Sequence, residues 1–180
     1  MEALQALEAR KSVRSYLPNP VEAEKLETII AAGKHAPNAG PFQISVISKT
    51  ALLQDIDNET LEAMKNSGSP FLVQRASIRG YHPLYGAPVL ILLSAPTAPY
   101  AIANTSCAAT TMIIAATALG LGSCYVVSPT LVLQGGDALS VQAGVNTGYT
   151  PLCGVLIGYE AESTIPKSEH GTTINVNFVD

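Results

Sequence analysis

A chain of 180 residues is long enough for one domain with a sizeable core, yet only 13 % of its residues are charged against 47 % hydrophobic, so some apolar surface calls for cover by a second copy or a cofactor. The net charge of −4 excludes a general nucleic-acid or anionic-membrane partner. Three cysteines, an odd number with no secretory leader, read as reduced thiols in a cytoplasm.

In chain order, Glu2–Ala9 has Leu4 and Leu7 at helical spacing and predicts a short helix. Arg10-Lys11-Ser12-Val13-Arg14-Ser15 follows, a cationic cluster interleaved with hydroxyls. It reads either as a solvated turn or as an anion site, since guanidinium groups make forked, charge-assisted hydrogen bonds to phosphate. Asn19-Pro20-Val21-Glu22 predicts a helix start, with Asn19 as cap and Pro20 in the first turn. Leu26, Ile29, Ile30 and Gly33 then share one face of a helix that ends near His35.

The Ala36–Pro41 loop is rich in turn formers. It is either a plain connection or, with Gln43 at the next strand's start, a backbone surface that lies against a flat ligand. Gln43–Ser48 predicts a strand and Leu52–Lys65 a surface helix. Asn66–Gly86 shows no clear period, and a loop this long is often a lid or a binding segment. Ala87–Ser94 is a continuous apolar run, which predicts a central strand.

No Asp, Glu, Lys or Arg occurs between Gly80 and Gly136. Within that span Ala108–Leu119, capped by Asn104 or Thr105, predicts a helix apolar all round and ended by Gly120 and Gly122. At about 16 residues it falls short of the ~20 that span a bilayer, so it belongs in a core. Ser123–Val127 predicts a short buried strand, Ala138–Ala143 a helical turn and Thr150–Tyr159 another buried strand. From Thr172 the tail alternates Ile174, Val176 and Phe178 with polar residues, a half-buried strand that could reach a neighbouring subunit. Cys107, Cys124 and Cys153 sit in apolar surroundings and read as inert core thiols. The chain has no metal-ligand spacing, no catalytic triad and no GxGxxG fingerprint, and nothing divides 1–180 into more than one domain.

The order of these parts resembles the FMN-dependent nitroreductase family. RKSVRSY resembles its Arg-x-Ser-x-Arg opening, APNAGPFQ its Ala-Pro-Ser-x-x-Asn-x-Gln loop, YGAPVLILLSA its Ala-Pro strand, ATALGLGS its central helix end and VLIGYE its terminal Ile-Gly-Tyr. The resemblance implies an α+β fold, a central mostly antiparallel sheet flanked by helices. It also implies an intertwined homodimer whose C-terminal strand reaches the partner. By carry-over, Arg10, Ser12 and Arg14, in a cluster with Lys11, would contact the FMN phosphate, ribityl chain and ring edge. Pro37, Asn38, Ala39, Gly40 and Gln43 would approach the flavin across the dimer. Val126, Val127 and Ser128 would pass along the ring, and Lys167 with His170 would stand at the phosphate. The chain departs from the family pattern at Pro41, at Ile44-Ser45 and at Lys167-Ser168-Glu169-His170.

The implied activity is electron transfer from NAD(P)H or another donor, through FMN, to a small electron-poor acceptor such as a nitroaromatic or quinone. One shared pocket would give ping-pong turnover. The alternatives are another flavin reaction on the same fold (dehalogenation, dehydrogenation or flavin breakdown) and a non-catalytic flavin-binding dimer.

Overall fold

The continuous apolar run predicted as a central strand is one. Strand β2, Val89–Ala95, is buried at every position. The computed structural model describes residues 2–134, 136–162 and 174–179. Four strands lie in the order β1-β2-β4-β3, with β1 at Gln43–Ile47, β3 at Gly122–Val126 and β4 at Thr150–Gly158, and every pairing is antiparallel.

Alternate residues of β2 serve two cores, which is why the run carries no polar period. Val89, Ile91 and Leu93 face Ala108, Ala109, Met112 and Ala116 of α5, Ala101–Ala118, and Ile29 of α2, Ala23–Lys34. Leu90 and Leu92 face Leu52, Leu53 and Ile56 of α3, Thr50–Lys65. A strand covered on both faces gains from an apolar side chain at each position. Gly33 lets α2 and α5 cross closely, because a Cβ there would stand 2.1 Å from Met112 Cε. The remaining helices are α1, Ala3–Ala9; α4, Pro70–Ala76; and α6, Ala138–Gln142.

Several expectations are corrected. Helix α2 begins at Ala23 behind Glu22, not at Asn19. The Glu22 carboxylate accepts the Tyr159 hydroxyl at 2.7 Å and pairs with Lys25 at 3.2 Å, so a tertiary contact fixes the start. Helix α5 starts at Ala101, well before the expected Asn104 or Thr105 cap. Thr105 Oγ1 bonds back to the Ala101 carbonyl at 2.9 Å, and Asn104 Oδ1 accepts the Ala39 amide at 2.9 Å. Both capping groups are thus spent elsewhere.

At 18 residues α5 is long and apolar enough to cross a membrane by length and composition. Its packing against α2 and the sheet makes it a core helix. The segment expected to be an unstructured loop contains α4, with Pro70 in its first turn. Cys107 is exposed rather than in the core, whereas Cys124 and Cys153 are buried. Residues 174–179 are exposed in the single chain and, among the described residues, pair with no strand. Lys167, His170 and Thr172 lie outside the described residues.

Candidate flavin site

The Arg10–Tyr16 segment is laid along the sheet by backbone bonds. Ser12 bridges Ser123 in parallel, and the Val13 amide donates to the Ser123 carbonyl at 2.9 Å. Tyr16 bridges Glu160, and the Leu17 amide donates to the Tyr159 carbonyl at 2.8 Å. Val13 turns inward onto Gly122, where a Cβ would meet its Cγ2 at 2.9 Å. In an extended segment alternate side chains share a side. Arg10, Ser12 and Arg14 accordingly fall on one side of the segment, and all of them influence the acidity of the Cys124 thiol. Lys11 is turned to Glu160, with Nζ 2.7 Å from the carboxylate.

Arg75 of α4 also acts on the Cys124 thiol. It donates to the Tyr81 hydroxyl at 3.2 Å and to the Tyr85 hydroxyl, and its guanidinium lies 5.2 Å from the Tyr81 ring centre. Sequence reasoning missed Arg75. The available signal was Pro70, a helix-start residue inside a segment read as irregular. Burial pushes the Cys124 thiol up despite these cations, so it stays protonated and is no nucleophile. Burial also raises the Tyr16 hydroxyl, which has no hydrogen-bond partner among the described residues.

The other expected residues fall in separate places. Pro37, Asn38, Ala39 and Gly40 form an exposed loop tied to α5 through Asn104, with Gly40 at φ 129°. Among the described residues no hydrogen bond joins this loop to the Arg10–Arg14 face. The Gln43 amide is engaged at both ends, donating to the Gly144 carbonyl and accepting the Asn146 amide at 3.0 Å. Val126 is buried in β3, Val127 is half exposed, and Ser128 opens a 3₁₀ turn, Ser128–Leu131. That turn begins directly beyond the strand to which Ser12 is bridged.

Arg10 and Arg14 make no ion pair among the described residues. Two unneutralised guanidiniums and a hydroxyl on one side of a segment are a donor set for a phosphate and a polyhydroxyl chain, so these residues fit FMN.

The nitroreductase family model matches residues 7–159. The chain belongs to the nitroreductase family. It is similar in structure to a nitroreductase with bound FMN from Bacteroides fragilis, at 26 % identity and TM-score 0.85 over 100 % of both chains. It is also similar to a nitroreductase with bound FMN from Desulfitobacterium hafniense, at 24 % identity and TM-score 0.83 over 97 % of this chain and 100 % of that one. An iodotyrosine deiodinase bound to FMN and 3-iodo-L-tyrosine shares the fold at 17 % identity and TM-score 0.72, over 99 % of this chain and 100 % of that one. No curated protein matches the chain by sequence.

Proposed function

We propose that this chain is an FMN-dependent oxidoreductase, a single domain over residues 1–180. It takes electrons from a nicotinamide nucleotide and passes them to a small electron-poor acceptor, such as a nitroaromatic or a quinone. The observation that carries this reading is the Arg10, Ser12 and Arg14 set, whose guanidiniums make no ion pair among the described residues, with Lys11 diverted to Glu160.

Bound FMN supplies two-electron redox chemistry. Arg10 and Ser12 suit its phosphate and ribityl chain, and Arg14 suits the polar edge of the ring. Val127 offers an apolar surface beside them, and Lys167 and His170 remain candidates for the phosphate. Pro37–Gly40 would complete the site from a second copy. A homodimer is supported by Tyr100, Ile102, Val127 and Leu4, large apolar side chains left exposed. Cys107, Cys124 and Cys153 are free thiols, which suits a cytoplasmic setting.

The test starts from the purified protein. Acid release should yield FMN, and anaerobic NADH or NADPH should bleach the flavin spectrum. Parallel double-reciprocal plots with a nitroaromatic would indicate one pocket used in turn. FAD alone, or no flavin after incubation with FMN, would overturn the site. A bound flavin that no donor reduces would overturn the activity.

A further inference from the structure

Arg14 has a second setting. It lines a cavity of about 680 Å³ between α3 and the 80–88 loop, whose wall also carries Gln54, Asp57, Asn58, His82 and Tyr85. His82 Nδ1 lies 2.7 Å from Asp57 Oδ2. The other carboxylate oxygen, Oδ1, accepts the Leu84 amide at 2.7 Å. One carboxylate therefore fixes both the loop backbone and the imidazole. A ring that donates Nδ1–H to a carboxylate has Nε2 as its working atom. Among the described residues Nε2 makes no hydrogen bond.

The loop that carries His82 is held from several sides. Arg75 ties Tyr81 and Tyr85, and the His82 carbonyl accepts the Tyr85 amide at 3.0 Å. Tyr85 itself sits at φ 53°, a left-handed conformation that a non-glycine residue keeps only when its surroundings enforce it. This is a built wall rather than a mobile edge.

We propose that His82, oriented by Asp57, is the hydrogen-bond and proton donor to an oxygen of a planar nitro or quinone acceptor bound in this cavity. The proposal rests on the reductase reading above. Reducing a nitro group to a nitroso group takes two electrons and two protons and releases water. A hydride equivalent, drawn from the nicotinamide, brings the electrons and one proton. The second proton is delivered by the His82 ring through Nε2 and is restored from solvent. Asp57 is a positioning residue. The charged and titratable groups that share the cavity with His82 are Asp57 from α3, Arg14 from the N-terminal segment and Tyr85 from its own loop.

The test uses the full chain and 4-nitrobenzoate, which is inert without reductant. Ring-nitrogen NMR should show Nδ1 of His82 protonated and held by Asp57, with that signature lost in Asp57→Asn. Saturating 4-nitrobenzoate should shift the Nε2 resonance, and His82→Ala should weaken its binding about fivefold or more. In His82→Gln the oxidative half-reaction should slow about tenfold more than the reductive one. A His82 ring untouched by the saturating probe would overturn the proposal. So would a His82→Gln enzyme with the wild-type oxidative rate. A protein that takes up no flavin but whose His82 ring responds to the probe would sink the reductase reading and leave the cavity assignment standing.

Discussion

Lys11 and Glu160 close an ion pair at 2.7 Å, while Arg10, Ser12 and Arg14 alternate onto the other side of the same segment. One short segment thus sorts its cations into two uses. The pair is solvent-exposed, and such pairs contribute about 0–1 kcal/mol. The arginines are left unpaired among the described residues and available to an anion.

It follows that Arg14→Ala costs more flavin affinity than Lys11→Ala. A charge-assisted hydrogen bond is worth roughly 1.5–3 kcal/mol, about ten- to a hundred-fold in the dissociation constant. Lys11→Ala removes a contact to Glu160 and should change affinity by about threefold or less. Fluorescence quenching on titration with FMN measures both. Equal losses would mean that the segment acts through net charge, not through directed contacts.

Gly122→Ala should weaken both fold and flavin site. The added Cβ would stand 2.9 Å from Val13 Cγ2 and 3.1 Å from Cγ1, so Val13 must move or β3 must. Overpacking of this kind costs roughly 1–3 kcal/mol. Val13 lies between Ser12 and Arg14, so its displacement shifts the donor set. Val13→Ala in the same chain should relieve the clash, and the double-mutant cycle should show coupling of more than about 0.5 kcal/mol. Additive effects would show that Val13 and Gly122 do not press on each other.

These contacts also show what the sequence made legible. The strands were readable because Val89–Ala95 and Thr150–Gly158 are buried runs whose composition admits little else. The cationic cluster was readable because alternation in an extended segment is local geometry. The start of α5 was not, since Asn104 looks like a cap until the Ala39 amide claims its side chain. The His82–Asp57 pair was hidden for the same reason, being 25 residues apart on a loop and a helix. Arg75 belongs to a helix of seven residues, too short to declare a period. Contacts made across the fold leave little trace in local composition.

Alkaline pH should destabilise the fold in a defined window. The Tyr81 hydroxyl is pushed up to about 12 from its ordinary 10.0, first by burial and then by the field of Tyr85, with the Arg75 hydrogen bond pulling the other way. The unfolded chain gives up this proton near its ordinary value, while the folded chain keeps it. The folded state then binds more protons, so stability falls as pH rises from about 10 to 12 and is unaffected by this group below that range. Burial of Tyr16 acts in the same direction. Urea midpoints between about pH 9 and 12 should fall, and Tyr81→Phe should flatten part of that slope. A midpoint that climbs across this interval would contradict the burial of both hydroxyls.

The C-terminal tail should hold the proposed dimer together, and through it the flavin. Ile174, Val176 and Phe178 are 81 %, 70 % and 91 % exposed in the single chain, an apolar alternation with nothing to cover it. Covering each would contribute roughly 1.5–3 kcal/mol. Strand β1 is an edge of the sheet, with one row of backbone groups open to a further strand. A tail from a second copy would satisfy both needs at once. Pro37–Gly40 is exposed and, among the described residues, makes no hydrogen bond to the Arg10–Arg14 face of its own chain, so it too calls for a partner. Losing the dimer should therefore release FMN. A chain ending at Glu169 should be monomeric or aggregated, and colourless, by light scattering and visible absorbance. If that chain is instead a soluble yellow dimer, the tail neither binds the subunits together nor supports the flavin.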